Sequence, residues 1–212
     1  MLGVYVTVPV ACFRKGLARE YLETEPLPPP ATCYGFLLSL VGETDRHRHV
    51  GVRVAPVLVN EPQISVVLRT IWRVKKTPLG SAGNTRPDYQ QLLTDIKLVI
   101  WLDSSEETEI GLEARVRKAL ADPRSVSRFG GLSLGESTHL VDEVTPLETV
   151  KSRLDGRSGR AFLLAERGRL TLPVWVDHVG SSGTLYATGN LVEAPIMESP
   201  VLESMPRILA NP

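Results

Sequence analysis

The sequence predicts an α+β fold, and three observations carry that prediction. Runs rich in β-branched and apolar residues mark strands at Leu2 to Val10, Gly51 to Val59, Ile64 to Val74 and Leu93 to Leu102. Two stretches with helical character, 31–42 and 108–121, fall between those strands. A hydrophobic share of 42% and a charged share of 23% over 212 residues are those of a chain that folds around a core.

Taken in order, Leu2 to Val10 has β-branched and aromatic residues in alternation, which suits a strand. Pro28-Pro29-Pro30 cannot donate backbone hydrogen bonds. It reads as a rigid lead into a buried helix over 31–42, with Gly42 as its stop. The two strands that follow are separated by the turn-rich Asn60-Glu61-Pro62-Gln63. Residues 76–92 break every periodicity and read as an exposed functional loop or hairpin extension. The amphipathic helix at 108–121, with Ser105 or Thr108 as cap, ends at Asp122-Pro123. Beyond a glycine-rich loop at 124–136 the chain reads as mostly strand. A strand near 137–145 would complete a βαββαβ, ferredoxin-type sheet. The expected division is a domain at 1–145 and a small β-rich region with a surface tail at 146–212.

The zero formal net charge hides an asymmetry: residues 45–97 carry a surplus of five positive charges, and residues 98–145 a deficit of four. A nucleic-acid binder needs only one basic face, so this window is the first functional signal. Within it, Arg69, Arg73 and Lys75 share a strand face, with Trp72 opposite. Trp72, Tyr5 and Trp101 are expected in the core, whereas Tyr89, beside Arg86 in the irregular stretch, suits stacking on a splayed base.

Several chemistries are excluded. No run approaches the ~20 apolar residues of a membrane span, and Met1 to Val10 lacks the basic lead-in of a signal peptide, so a cytoplasmic protein is expected. Cys12 and Cys33 lack metal-ligand spacing and read as small core residues. His47-Arg48-His49 has no third ligand nearby and reads as a solvated loop. Ser137, His139 and Asp142 do not share a strand face, which rejects a hydrolase triad. The stretch Arg128-Phe129-Gly130-Gly131-Leu132-Ser133-Leu134-Gly135 lacks the G-K-[ST] ending of a nucleotide-binding loop, although its glycines admit close approach to a phosphate or ribose. No cofactor or metal is expected.

Three blocks in order resemble the Cas-five family of CRISPR proteins, with details closest to its DevS-type members. They are Pro28 through Leu38, Pro87 through Ile96, and Asp122-Pro123 through the glycine-rich run to Ser137. The resemblance implies a ferredoxin-like (RRM-like) RAMP domain with a β-hairpin thumb at 76–92 and a variable β-rich C-terminal region. It further implies a Cascade-type role: binding the repeat-derived 5′ handle of the guide RNA and contacting a backbone subunit and the large subunit. Target DNA or a transposition adaptor is a further partner that such a complex would bring. A relative in one subtype cuts precursor RNA with a Tyr, Lys and His cluster. Tyr34 stands near the tyrosine position, but Lys97 is followed by Leu98 rather than by histidine.

The expected function is therefore a non-enzymatic RNA-binding subunit, with a metal-free endoribonuclease and a purely structural assembly protein as rivals. The candidate RNA contacts are Arg14, Lys15, Arg19, Arg69, Arg73, Lys75, Lys76, Arg86, Tyr89, Arg128, Gly130 and Gly131.

Overall fold

The computed structural model describes residues 1–16, 21–72, 78, 80–107, 111–179 and 181–210. Its spine is β5 (Thr85–Asp103), a strand of 19 residues. The second half of β5 lies between β1 (Leu2–Ala11) and β3 (Arg53–Leu58), antiparallel to both. Its first half lies between β4 (Gln63–Trp72) and the two-residue β2 (Tyr21–Leu22). With β6 (Glu143–Pro146), β7 (Ser158–Leu164), β8 (Leu170–Trp175) and β9 (Leu185–Pro195), the sheet runs β6-β1-β5-β3-β7-β9-β8. The chain is thus a mixed α/β structure dominated by one antiparallel sheet, continuous across residue 146 through the Val57↔Ala161 and Leu58↔Arg160 pairs.

Strand alternation sends side chains to opposite faces, and both faces are covered. Val4, Val6, Val8, Leu98, Ile100 and Leu102 meet α1 (Pro30–Leu40) and α2 (Leu112–Ala121) on one side. Tyr5, Val57, Val99 and Trp101 meet Leu147, Val150, Leu154, Ile196 and Met205 on the other. Burying each such side chain contributes about 1.5–3 kcal/mol.

Proline at the first position starts α1, as its fixed φ and missing N–H favour. The helix stops at Gly42, whose φ of +68° is left-handed. Glu43 donates its backbone N–H to the Leu38 carbonyl across that stop. The first turn of α2 is held by residues before it: Leu112 N–H donates to Glu107 Oε2 (2.7 Å) and Glu113 N–H to Ser104 Oγ (2.9 Å). The capping residues are therefore Ser104 and Glu107, not Ser105; Thr108 lies outside the described residues.

One expectation is corrected and two are narrowed. The irregular stretch 76–92 is strand from Thr85 onward; Pro87 is tolerated where β5 has a partner on one edge only. Within the mostly strand-like region after 137, Leu147–Val150 is a 3-10 turn running into the short helix α3 (Lys151–Leu154). Trp72 is 60% exposed rather than buried, because it sits on a two-stranded hairpin that leaves the sheet body.

Candidate nucleic-acid interface

A groove of about 730 Å³ opens between α1 and the glycine-rich stretch. Its helix side presents Thr32, Tyr34, Gly35 and Ser39, and its far side Ser127, Arg128, Phe129, Ser133 and Gly135. Arg46 and His178 complete the lining. The two walls are locked together at Gly42, where any Cβ would collide with the Ser127 carbonyl oxygen. Arg128 adds a second clasp, donating to the Leu40 carbonyl at the end of α1 (3.3 Å).

Arg46 is held rigidly. Its guanidinium lies 4.0 Å over the Trp175 ring and donates to the Val176 carbonyl (2.8 Å), while its own carbonyl accepts the Tyr34 hydroxyl (2.8 Å). Burial pushes the Tyr34 hydroxyl far above its ordinary pKa. Glu43, the acid in the lining, is drawn down to about 2, first by the Arg115 hydrogen bond (2.6 Å) and then by the Asp45 backbone N–H. Its charge is thus spent on Arg115 and Arg48, leaving the cations of the groove uncompensated by it.

Beneath this wall His49 is buried, which corrects its reading as part of a solvated loop. Its Nδ1 meets Glu107 Oε1 at 2.5 Å, and its Nε2 accepts from Arg115 at 2.7 Å. His47 does lie exposed, against Trp175.

The second surface is the β4/β5 hairpin. One face carries Ile64, Val66, Leu68 and Trp72 with Tyr89, all exposed, and Tyr21 tilts against Tyr89 at 6.4 Å. On the opposite face Arg69 is ion-paired with Glu136 (3.6 Å) and Arg86 with the buried Asp88 (3.8 Å). Glu136 also accepts from Gln90 (2.8 Å), so the end of the glycine-rich stretch touches the hairpin and connects the two surfaces.

The predicted contacts therefore separate into groups. Arg128 lines the groove, whereas Gly130 and Gly131 follow Phe129 outside its lining, Gly130 with a φ of +75° in open space. Arg69, Arg86 and Tyr89 belong to the hairpin, with Tyr89 in a strand rather than a loop. Arg14 bridges Thr24 and Lys15 pairs with Glu23 (3.9 Å), in the turn that leads to β2. Arg19, Arg73, Lys75 and Lys76 lie outside the described residues. The residues missed were Arg46 and His178. Arg46 sits inside the basic window, whereas His178 reaches the groove from the bend after β8 and has no local signal.

His139 is structural. Its Nδ1 accepts the backbone N–H of both Cys12 (3.2 Å) and Glu136 (3.1 Å), and burial holds its pKa below the ordinary value.

No family model matches the chain. A CRISPR-associated protein Cas5 of Myxococcus xanthus (strain DK1622) is 54% identical over 98% of this chain and 97% of its own length. Among solved structures, a chain of a CRISPR RNA-guided surveillance complex superposes with a TM-score of 0.61 at 15% identity, over 99% of this chain and 94% of that one. A crystal structure of a Cas protein follows at 0.52 and 14%, over 97% of each chain. The structural matches share the fold, and the near full-length sequence match decides the family: this chain belongs to the Cas5 family of CRISPR-associated proteins.

Proposed function

We propose that the chain is a non-catalytic subunit of a type I CRISPR surveillance complex that binds and caps the repeat-derived 5′ handle of the guide RNA. The observation that carries this is the groove of about 730 Å³, lined by Arg46, Arg128 and part of the glycine-rich stretch together with α1. The order β6-β1-β5-β3, with α1 and α2 between strands, is read as a ferredoxin-like body spanning 1–145. The β4/β5 hairpin is its thumb, and 146–212 is its β-rich flank. Neighbouring backbone and large subunits dock on it in the cytoplasm, and the complex serves RNA-guided DNA targeting in defence or transposition.

Metal-free RNA cleavage needs an acid and a base within reach of the attacking hydroxyl and leaving oxygen. Tyr34 is raised by burial and donates to a backbone carbonyl, Lys97 is tied to Asp95 (3.0 Å), and the His139 Nδ1 accepts two amides. These engagements support a binding role rather than a cutting one.

The test is purification of the tagged chain with its operon neighbours and a repeat–spacer array, followed by sequencing of the bound RNA. Uniform RNAs sharing one repeat-derived 5′ end are expected. Assembly without RNA would overturn the capping role, and trimming of the array by this chain alone would overturn the non-catalytic reading. Arg128→Ala should lower the log–log salt slope of RNA binding by about 0.7. Arg69→Ala should lower it less, because Glu136 already neutralises Arg69.

A further inference from the structure

We propose that Phe129 is a stacking platform for an unpaired nucleobase, which makes it a positioning residue for the RNA in the groove; this rests on the RNA-binding reading above. Phe129 is 103% exposed, although it is the largest apolar side chain of its stretch. Looseness of the chain does not account for that exposure. Immediately before it, Ser127 lies against Gly42 and Arg128 is clasped to the Leu40 carbonyl. Immediately after it, Val141 N–H donates to the Leu132 carbonyl (3.0 Å), Leu134 N–H donates to His139 (3.0 Å), and Leu134 is buried. Phe129-Gly130-Gly131 is thus a short arch between two fixed footings, and the phenyl ring is held out into water over the groove.

The surroundings decide which ligand that ring suits. A single aromatic knob for a protein partner belongs among apolar neighbours. The lining does include Ala31, Phe36, Leu38 and Val176, but it adds the Thr32, Ser39, Ser127 and Ser133 hydroxyls together with Arg46 and Arg128. Hydroxyls and guanidiniums match ribose and phosphate, and the ring matches the π-face that every base carries. Gly130 and Gly131 add no side chain that would keep a base from the ring, and a Cβ at Gly130 would itself meet nothing within 4 Å.

The experiment uses the full chain and repeat-derived RNA carrying 2-aminopurine at successive handle positions. Quenching at one position is expected with the wild-type chain. Phe129→Ala should abolish it and weaken binding roughly five- to a hundred-fold, with the salt slope unchanged because no ion pair is lost. Phe129→Trp should retain both quenching and affinity. Since the ring packs on nothing, thermal unfolding of all variants should match wild type. If wild type binds RNA and Phe129→Ala binds it equally well with the same quenching, the stacking role is overturned and the RNA-binding reading stands. If wild type binds no RNA, both fall. Normal RNA binding by Phe129→Ala with loss of a partner subunit would assign the ring to a protein contact and overturn the proposal.

Discussion

Asn60 donates its side-chain amide to the Asp95 carbonyl at 2.7 Å, and its Oδ1 accepts the Lys97 backbone N–H at 3.0 Å. This pairing sits where β5 exchanges one neighbour, β3, for another, β4. Asp95 takes a φ of +54° there, and the side-chain alternation slips, so that Leu93 and Ile96, three apart, both join the larger core. The two backbone groups that the ladder leaves open at the slip are closed by one carboxamide.

Asn60 therefore ties the chain together at the point where the hairpin leaves the body. Asn60→Ala should cost about 1 kcal/mol of stability, the usual net worth of such bonds. Backbone amide exchange should quicken at 85–92 while 98–102 keep their protection. Asp95→Gly should be neutral or slightly stabilising, since glycine relieves the positive φ and preserves the carbonyl that Asn60 uses. Equal exchange at both ends of β5 in Asn60→Ala would refute this hinge role.

Gly42 offers a sharper contrast. It needs glycine twice, once for its φ of +68° and once because a Cβ would strike the Ser127 backbone oxygen. Gly130 also has a positive φ, but open space around it. Gly42→Ala should destabilise by about 2 kcal/mol or more and weaken RNA binding, because the two walls of the groove are forced apart. Gly130→Ala should cost about 1 kcal/mol. Chemical denaturation of both variants measures the difference, and equal costs would show that the approach at Ser127 is dispensable.

How much of this was readable depends on how local the determinant is. β1 and α1 were legible because strand alternation and a proline-led helix start are written in neighbouring residues. The helical turn at Leu147, Val150 and Leu154 was also written locally, as an i, i+3, i+7 spacing, inside a region read only as mostly strand. Trp72 misled because an apolar strand was equated with a buried one, which fails when two strands project beyond the helices that cover the rest. His49 could not be read at all, since its partners Glu107 and Arg115 lie 58 and 66 residues away. The groove was half legible: the glycine-rich stretch and Arg128 stood out, but Arg46 gains its role from Trp175 and Val176, which only the folded sheet brings to it.

His139 makes the fold sensitive to mild acid. Its Nδ1 accepts two backbone amides, so a proton there would displace both, and burial, the leading cause, lowers its pKa. The unfolded chain, with its ordinary histidine pKa of about 6.5, then binds the proton more readily than the folded one. Stability from this site is complete above about pH 6.5 and declines as the pH falls through the unfolded value toward the lowered folded one. His139→Ala should destabilise by about 1–3 kcal/mol at neutral pH by stranding the Cys12 and Glu136 amides. Below pH 6 its deficit relative to wild type should shrink, since wild type must then protonate or unfold. Urea denaturation of both chains between pH 5 and pH 8 measures this convergence, and a deficit that stays constant across the range would mean that His139 does not titrate with folding.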